Sequence, residues 1–172
     1  MKRLAHIPPI GTGKLPGCLI CERIEQIARN QNRLFVAEVQ TGYVVLGDFQ
    51  FFRGYTLLLA KSHVPELHML ESSEKELFLR EMSLVAESVF RCFQPVKLNY
   101  ECLGNAEPHL HWHIFPRHAD DPSPRTSSWK VEQAVRYAER YRLSDTELNT
   151  MKTALLTELL RRPELRIIRS FE

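Results

Sequence analysis

Residues 107–117 read EPHLHWHIFPR. Three histidines, His109, His111 and His113, occupy alternate positions, with Leu110, Trp112 and Ile114 between and after them. A period of two is that of an extended strand, whose successive side chains leave on opposite faces. Leu110, Trp112 and Ile114 are core-facing types. The segment therefore predicts a strand with one apolar face and one face of imidazoles, the neighbouring histidines about 7 Å apart along the chain. It needs a sheet with one side on a core and the other open to a ligand or a second layer.

The rest of the chain supplies the parts of such a sheet. Residues 1–17 carry Pro8, Pro9, Gly11, Gly13, Pro16 and Gly17 and read as an irregular lead-in. Ile24 and Ile27 suit a short helix over 22–29. LFVAEV and YVVLGD, separated by QTG, predict a hairpin, and GYTLLLAK a further strand. ESSEKELFLREMSLVAESVFRCF is the clearest helix. Phe78, Met82, Val85, Val89 and Phe93 form its stripe, Ser73 and Glu76 suggest a capping box, and Pro95 ends it. KLNYECLG and the histidine segment form two strands around NAEP, and HADDPSPRTSS is a loop. KVEQAVRYAERY predicts a helix with Val131, Ala134, Val135 and Ala138 on one side. SDTELNTMKTALLTELLRR predicts another, capped by Ser144 and Glu147, with Leu148, Met151, Leu155 and Leu159 inward. Alternating β and α units are absent, so the fold class is α+β, with an antiparallel sheet of about five strands, a long helix and C-terminal helices.

Charge narrows the partners. A net charge of +2 in 172 residues is too balanced to argue for nucleic acid or a membrane surface. No apolar run is long enough to span a bilayer, and no secretory signal is visible. A cytoplasmic protein with reduced thiols is expected.

Spacing alone leaves two chemistries open for the histidines. His-x-His on a strand is a usual pair of zinc ligands. Equally, one imidazole can attack an electrophile while its neighbours orient it and bind charge. Cys18 and Cys21, in CLIC, can be metal ligands, a redox pair or two small core residues. Cys92 and Cys102 sit in apolar settings and read as core. His6, His68 and His118 read as surface or cap residues, and Arg91, Arg161, Arg162, Arg166 and Arg169 as a solvated face or tail.

HLHWHIF resembles the signature of the histidine triad (HIT) family, His-φ-His-φ-His-φ-φ with φ apolar. The wider LNYECLGNAEPHLHWHIFPRHADDP is similar to bacterial Fhit-like proteins that hydrolyse diadenosine polyphosphates. The resemblance covers about residues 18–120, leaving 1–17 as a lead-in and 121–172 as a C-terminal helical extension. It implies an enzyme that cleaves nucleotides such as diadenosine tetraphosphate at the α-phosphate, through a nucleotidyl-histidine. By motif position His111 is the nucleophile, His113 contacts the phosphate, and His109 supports the constellation. Asp48 falls where the family binds the ribose hydroxyls. Asn99 takes the place of a family Asn or Gln near the phosphates, and Asn105 lies in the loop before the triad. The resemblance also implies a homodimer and no organic cofactor.

Two departures stand out. Many relatives carry a fourth histidine after a glycine on the upstream strand, where this chain has Gly54 and Tyr55. A loop hydroxyl common in relatives is replaced by Ala106 or Glu107. CLICERI resembles the opening of a zinc-binding HIT subgroup, which implies a structural zinc on Cys18, Cys21, His63 and His109. Three rivals accompany this reading: a nucleotidyl transferase or phosphorylase, a non-catalytic nucleotide-binding module, and metal-dependent hydrolysis at the triad itself.

Overall fold

A computed structural model describes residues 16–122 and 124–171. The lead-in, with His6, lies mostly outside the described residues. The elements are α1 (Leu19–Ala28), β1 (Phe35–Glu38), β2 (Gly42–Leu46), β3 (Thr56–Ala60), α2 (Ser72–Phe93), β4 (Lys97–Glu101), β5 (His111–Arg117), α3 (Gln133–Arg136), α4 (Asp145–Leu160) and β6 (Arg169–Ser170). The six strands form one sheet in the order β4-β5-β3-β2-β1-β6, with every neighbouring pair antiparallel. The fold is α+β, and the predicted hairpin is β1–β2.

One face of the sheet is packed. Phe78, Val85 and Val89 of α2 are fully buried, as are Val44, Leu58 and Ile114 of the strands. The long helix begins at Ser72 with Glu71 as its cap, so the capping box expected at Ser73 and Glu76 does not form. Its carboxyl end is a left-handed turn at Gln94, before Pro95. The box at Ser144 and Glu147 forms as expected. α4 packs on α2 and β1 and buries Leu148, Leu155 and Leu159. β6 adds two residues to the edge of β1, so the carboxyl end joins the sheet.

The segment predicted as a helix over 130–141 is broken into a 3-10 turn (Ser128–Lys130), α3 of four residues, and a second 3-10 turn (Glu139–Tyr141). Its expected apolar stripe is not what docks: Val135 is exposed and Arg136 is buried. Stacking of Phe49 on Tyr137 and an edge-to-face contact of Phe51 with Tyr141 hold the segment instead. Cys102 is exposed and Cys92 only partly buried, because Cys102 follows the last paired residue of β4. His118 is buried rather than at the surface, and its Nε2 donates to the Arg53 carbonyl at 3.0 Å.

Candidate functional site

β5 starts at His111, so strand alternation covers only His111 and His113, while His109 lies just before the strand. The two strand imidazoles lean together, with ring centroids 4.6 Å apart. Their protons follow from their partners. His111 Nδ1 lies 2.6 Å from the His109 carbonyl oxygen, which can only accept, so Nδ1 carries the hydrogen. Burial pushes the His111 pKa down, so the ring is neutral and Nε2 keeps a bare lone pair. His113 Nε2 is 2.9 Å from that atom, and one hydrogen must lie between them, so His113 donates. His113 is itself pushed down to about 3, by burial first and then by its neighbours His111 and Arg136, beside which a second positive charge is disfavoured. Its Nδ1 is therefore bare and accepts from the Tyr55 hydroxyl at 2.6 Å.

Tyr55 thus takes the place expected for a fourth histidine, as a hydrogen-bond donor. Burial holds its own pKa far above the usual phenol value, so it does not ionise in the working range. Its ring stacks on Phe115 at 4.3 Å between centroids. Gly47 makes room for it: a Cβ there would stand 2.0 Å from the Tyr55 ring. Gly54, at φ +91°, turns the chain into β3 where a Cβ would also strike Phe93.

The histidine face is less open than the sequence suggests. His111 is only 7% exposed. The segment after β5 covers the neighbouring ring: Trp129 lies edge-on to both His113 and Phe115, with centroids 6.2 Å from each. Ser128 Oγ and the Trp129 indole N–H both donate to the Glu101 carboxylate, opposite His113 on β4. Periodicity gave no signal of this cover, because it is made of aromatic and polar contacts.

His109 belongs to a second cluster. Its Nε2 donates to the Ala60 carbonyl at 2.9 Å, which leaves Nδ1 bare. That nitrogen stands 3.1 Å from His63 Nδ1, 3.5 Å from Cys21 Sγ and 3.6 Å from Cys18 Sγ. Cys21 Sγ is 3.2 Å from His63 Nδ1, and the four ligand atoms lie within 4.8 Å of one another. Zinc with sulfur at about 2.3 Å and nitrogen at about 2.0 Å would separate tetrahedral ligands by about 3.3–3.8 Å, close to these distances. Two thiols and two imidazoles of this geometry fit a metal ion. The cysteines come from the start of α1, where Cys18 is the N-cap, and His63 from the turn after β3.

The remaining candidates lie further out. Asp48 pairs with Arg23 at 2.7 Å on the wall of a cavity of about 410 Å³ that Asn32 and Arg142 also line. Asn99 stands opposite Phe115 on β4, and its Oδ1 accepts from Arg117 Nη1 at 3.0 Å. Arg117, buried to 1% exposure, also pairs with Asp121 and lies over Phe52. Asn105 is exposed on its loop and makes no hydrogen bond among the described residues. Glu107, from that loop, accepts from the Leu19 N–H at 3.3 Å and so ties the loop to α1.

Residues 28–120 match the HIT domain family. That is more than half of the chain, and the protein belongs to this family. Solved structures agree on the fold. A histidine triad protein from Bradyrhizobium japonicum is 22% identical, with 72% of this chain and 88% of that chain covered at a TM-score of 0.64. One from Marinobacter aquaeolei is 24% identical, with 80% and 94% covered at 0.61. A diadenosine triphosphate hydrolase from Plasmodium falciparum is 13% identical, with 76% and 78% covered at 0.52. No curated protein sequence matches the chain. Among the described residues, no helix is long and apolar enough to cross a membrane.

Proposed function

We propose that the protein is a nucleotide hydrolase of the Fhit-like kind, cleaving dinucleoside polyphosphates such as diadenosine tetraphosphate at the α-phosphate through a nucleotidyl-His111. The observation that carries this reading is the ordered pair of neutral imidazoles. The His109 carbonyl holds the proton on His111 Nδ1 and leaves Nε2 with its lone pair. A neutral imidazole so fixed is a nucleophile at neutral pH. Nε2 attacks the α-phosphorus and forms a P–N bond as the P–O bond to the leaving phosphate chain breaks. His113 Nε2–H, which now points at His111, turns to that leaving oxygen and donates a hydrogen bond to it, easing the negative charge that builds there while keeping its proton. Tyr55 keeps the His113 proton on that nitrogen by holding Nδ1. Water then attacks phosphorus as the P–N bond breaks; the electron pair returns to His111 Nε2, Nδ1 keeps its hydrogen, and the surplus proton of the water passes to solvent. Asp48 would receive the ribose hydroxyls once released from Arg23, and Asn99 and Asn105 would serve the phosphates through their amide N–H groups.

The Cys18, Cys21, His63 and His109 cluster is proposed to hold a structural zinc. Bound there, the metal would cross-link α1, the turn after β3 and the start of the histidine strand. Its four protein donors leave no open position for substrate, and neither His111 nor His113 is among them. That argues against metal-dependent hydrolysis at the triad. We take residues 18–120 as the catalytic unit, with 121–172 an extension, working in the cytoplasm as a homodimer without an organic cofactor, nucleic acid or membrane. Incubation of purified protein with diadenosine tetraphosphate tests the reading. Turnover that His111→Ala lowers by roughly 10³-fold or more supports it. Turnover only in the presence of inorganic phosphate would favour a phosphorylase, and none across a panel of dinucleotides a binding module.

A further inference from the structure

Arg136 is the most unusual charge in the molecule. It sits in α3, within the segment that covers the histidine face, and is only 7% exposed. Its guanidinium carbon lies 4.5 Å from the centre of the Trp129 ring and 5.4 Å from that of Tyr137. Nε donates to the Val131 carbonyl at 3.0 Å. Among the described residues no carboxylate forms a close ion pair with it; the Glu101 carboxyl on β4 feels its charge, but the terminal guanidinium nitrogens have no protein acceptor. A buried guanidinium without a directly bonded carboxylate is costly, and such groups are paired in most folds. Arg117, buried still more deeply, shows the ordinary solution: it is paired with Asp121.

The surroundings say which further anion suits it. Arg136 lines a pocket with Tyr55, Phe115 and Trp129, the residues that contact His113. Its charge is near enough to depress the His113 pKa. A guanidinium fork matches phosphate oxygens, and the aromatic planes on either side hold it in one orientation. The free space beside it is about 10 Å³, less than a phosphate group occupies, so binding there requires Trp129 to move.

We propose that Arg136 binds the phosphates beyond the scissile one, making it a specificity residue that selects nucleotides with a long phosphate chain. The inference rests on the nucleotide reading of the site. It gives part of the C-terminal extension a task in the reaction: the Glu101 contacts to Ser128 and Trp129 dock the segment so that Arg136 faces the leaving group.

The test compares binding of AMP and of α,β-methylene-ATP, which resists cleavage at the α-phosphate, by calorimetry. Wild type should prefer the triphosphate by about tenfold or more. Arg136→Gln should lose that preference with AMP affinity changed by less than about threefold. Arg136→Lys keeps the charge but not the fork and should lower the preference by about threefold. It carries the test if Arg136→Gln fails to fold. A preference unchanged in the folded variants, or an equal loss of both affinities, overturns the proposal. Wild type that binds both ligands but turns over no dinucleotide sinks the hydrolase reading alone, and the binding ratio still decides for Arg136. Wild type that binds neither sinks both.

Discussion

The Tyr55 hydroxyl donates to His113 Nδ1 at 2.6 Å, and this bond closes a line of directed protons that begins at the His109 carbonyl. With Nδ1 occupied as an acceptor, a neutral His113 must present Nε2–H toward His111. Removing the hydroxyl frees the ring to adopt the wrong tautomer. Tyr55→Phe should lower kcat by about tenfold, the worth of one hydrogen bond, with KM nearly unchanged. Tyr55→His, which restores a ring donor, should keep more activity than phenylalanine. Steady-state kinetics on the three proteins checks this. A KM effect without a kcat effect would mean that Tyr55 serves binding only.

Gly47 guards the same ring from below. A methyl group there would overlap Tyr55, packed between Gly47 and the Phe115 stack. Gly47→Ala should therefore cost about 1–3 kcal/mol in chemical denaturation and reduce kcat as Tyr55→Phe does. Loss of stability at wild-type kcat would show that the ring position is immaterial to the reaction.

His113 makes the fold sensitive to acid. Its folded pKa, about 3, lies below the ordinary 6.5, so between these values the unfolded state binds more protons. The stability it protects is fully present above about pH 6.5 and is lost as pH falls toward about 3. Thermal melts at pH 7.5 and 4.5 should differ less for His113→Gln than for wild type. Equal slopes would contradict a buried, neutral His113.

The cysteine–histidine cluster predicts metal in the purified protein. Elemental analysis should find about one zinc per chain, and Cys21→Ser should lose it along with several degrees of melting temperature. His111→Ala should keep the metal. A fully reduced, folded wild type with no zinc would make the cluster a packing feature.

The parts that were legible in the sequence are those governed by a period or a cap. HLHWHIF defined the β5 faces for His111 and His113, the α2 stripe reached the core, and Ser144 with Glu147 closed a box. What escaped is non-periodic. That His109 sits before the strand, held there by the Ala60 carbonyl 49 residues away, no period announced, although its grouping with Cys18, Cys21 and His63 is the one the resemblance of CLICERI implied. The Arg136 segment docks through rings and a carboxylate on β4, and no spacing rule encodes such contacts. Arg23 occupies Asp48, a pairing between a helix and a turn that neither stretch announces.

The central claim is that His111 Nε2 forms a bond to phosphorus, and rapid acid quench with mass spectrometry on the wild-type protein tests it most directly. Mixed with labelled diadenosine tetraphosphate for milliseconds, the protein should carry a transient nucleotidyl mass on the peptide bearing His111, and His111→Asn should carry none. Turnover at full rate with the label never on that peptide, or an adduct that persists in His111→Asn, would contradict the account.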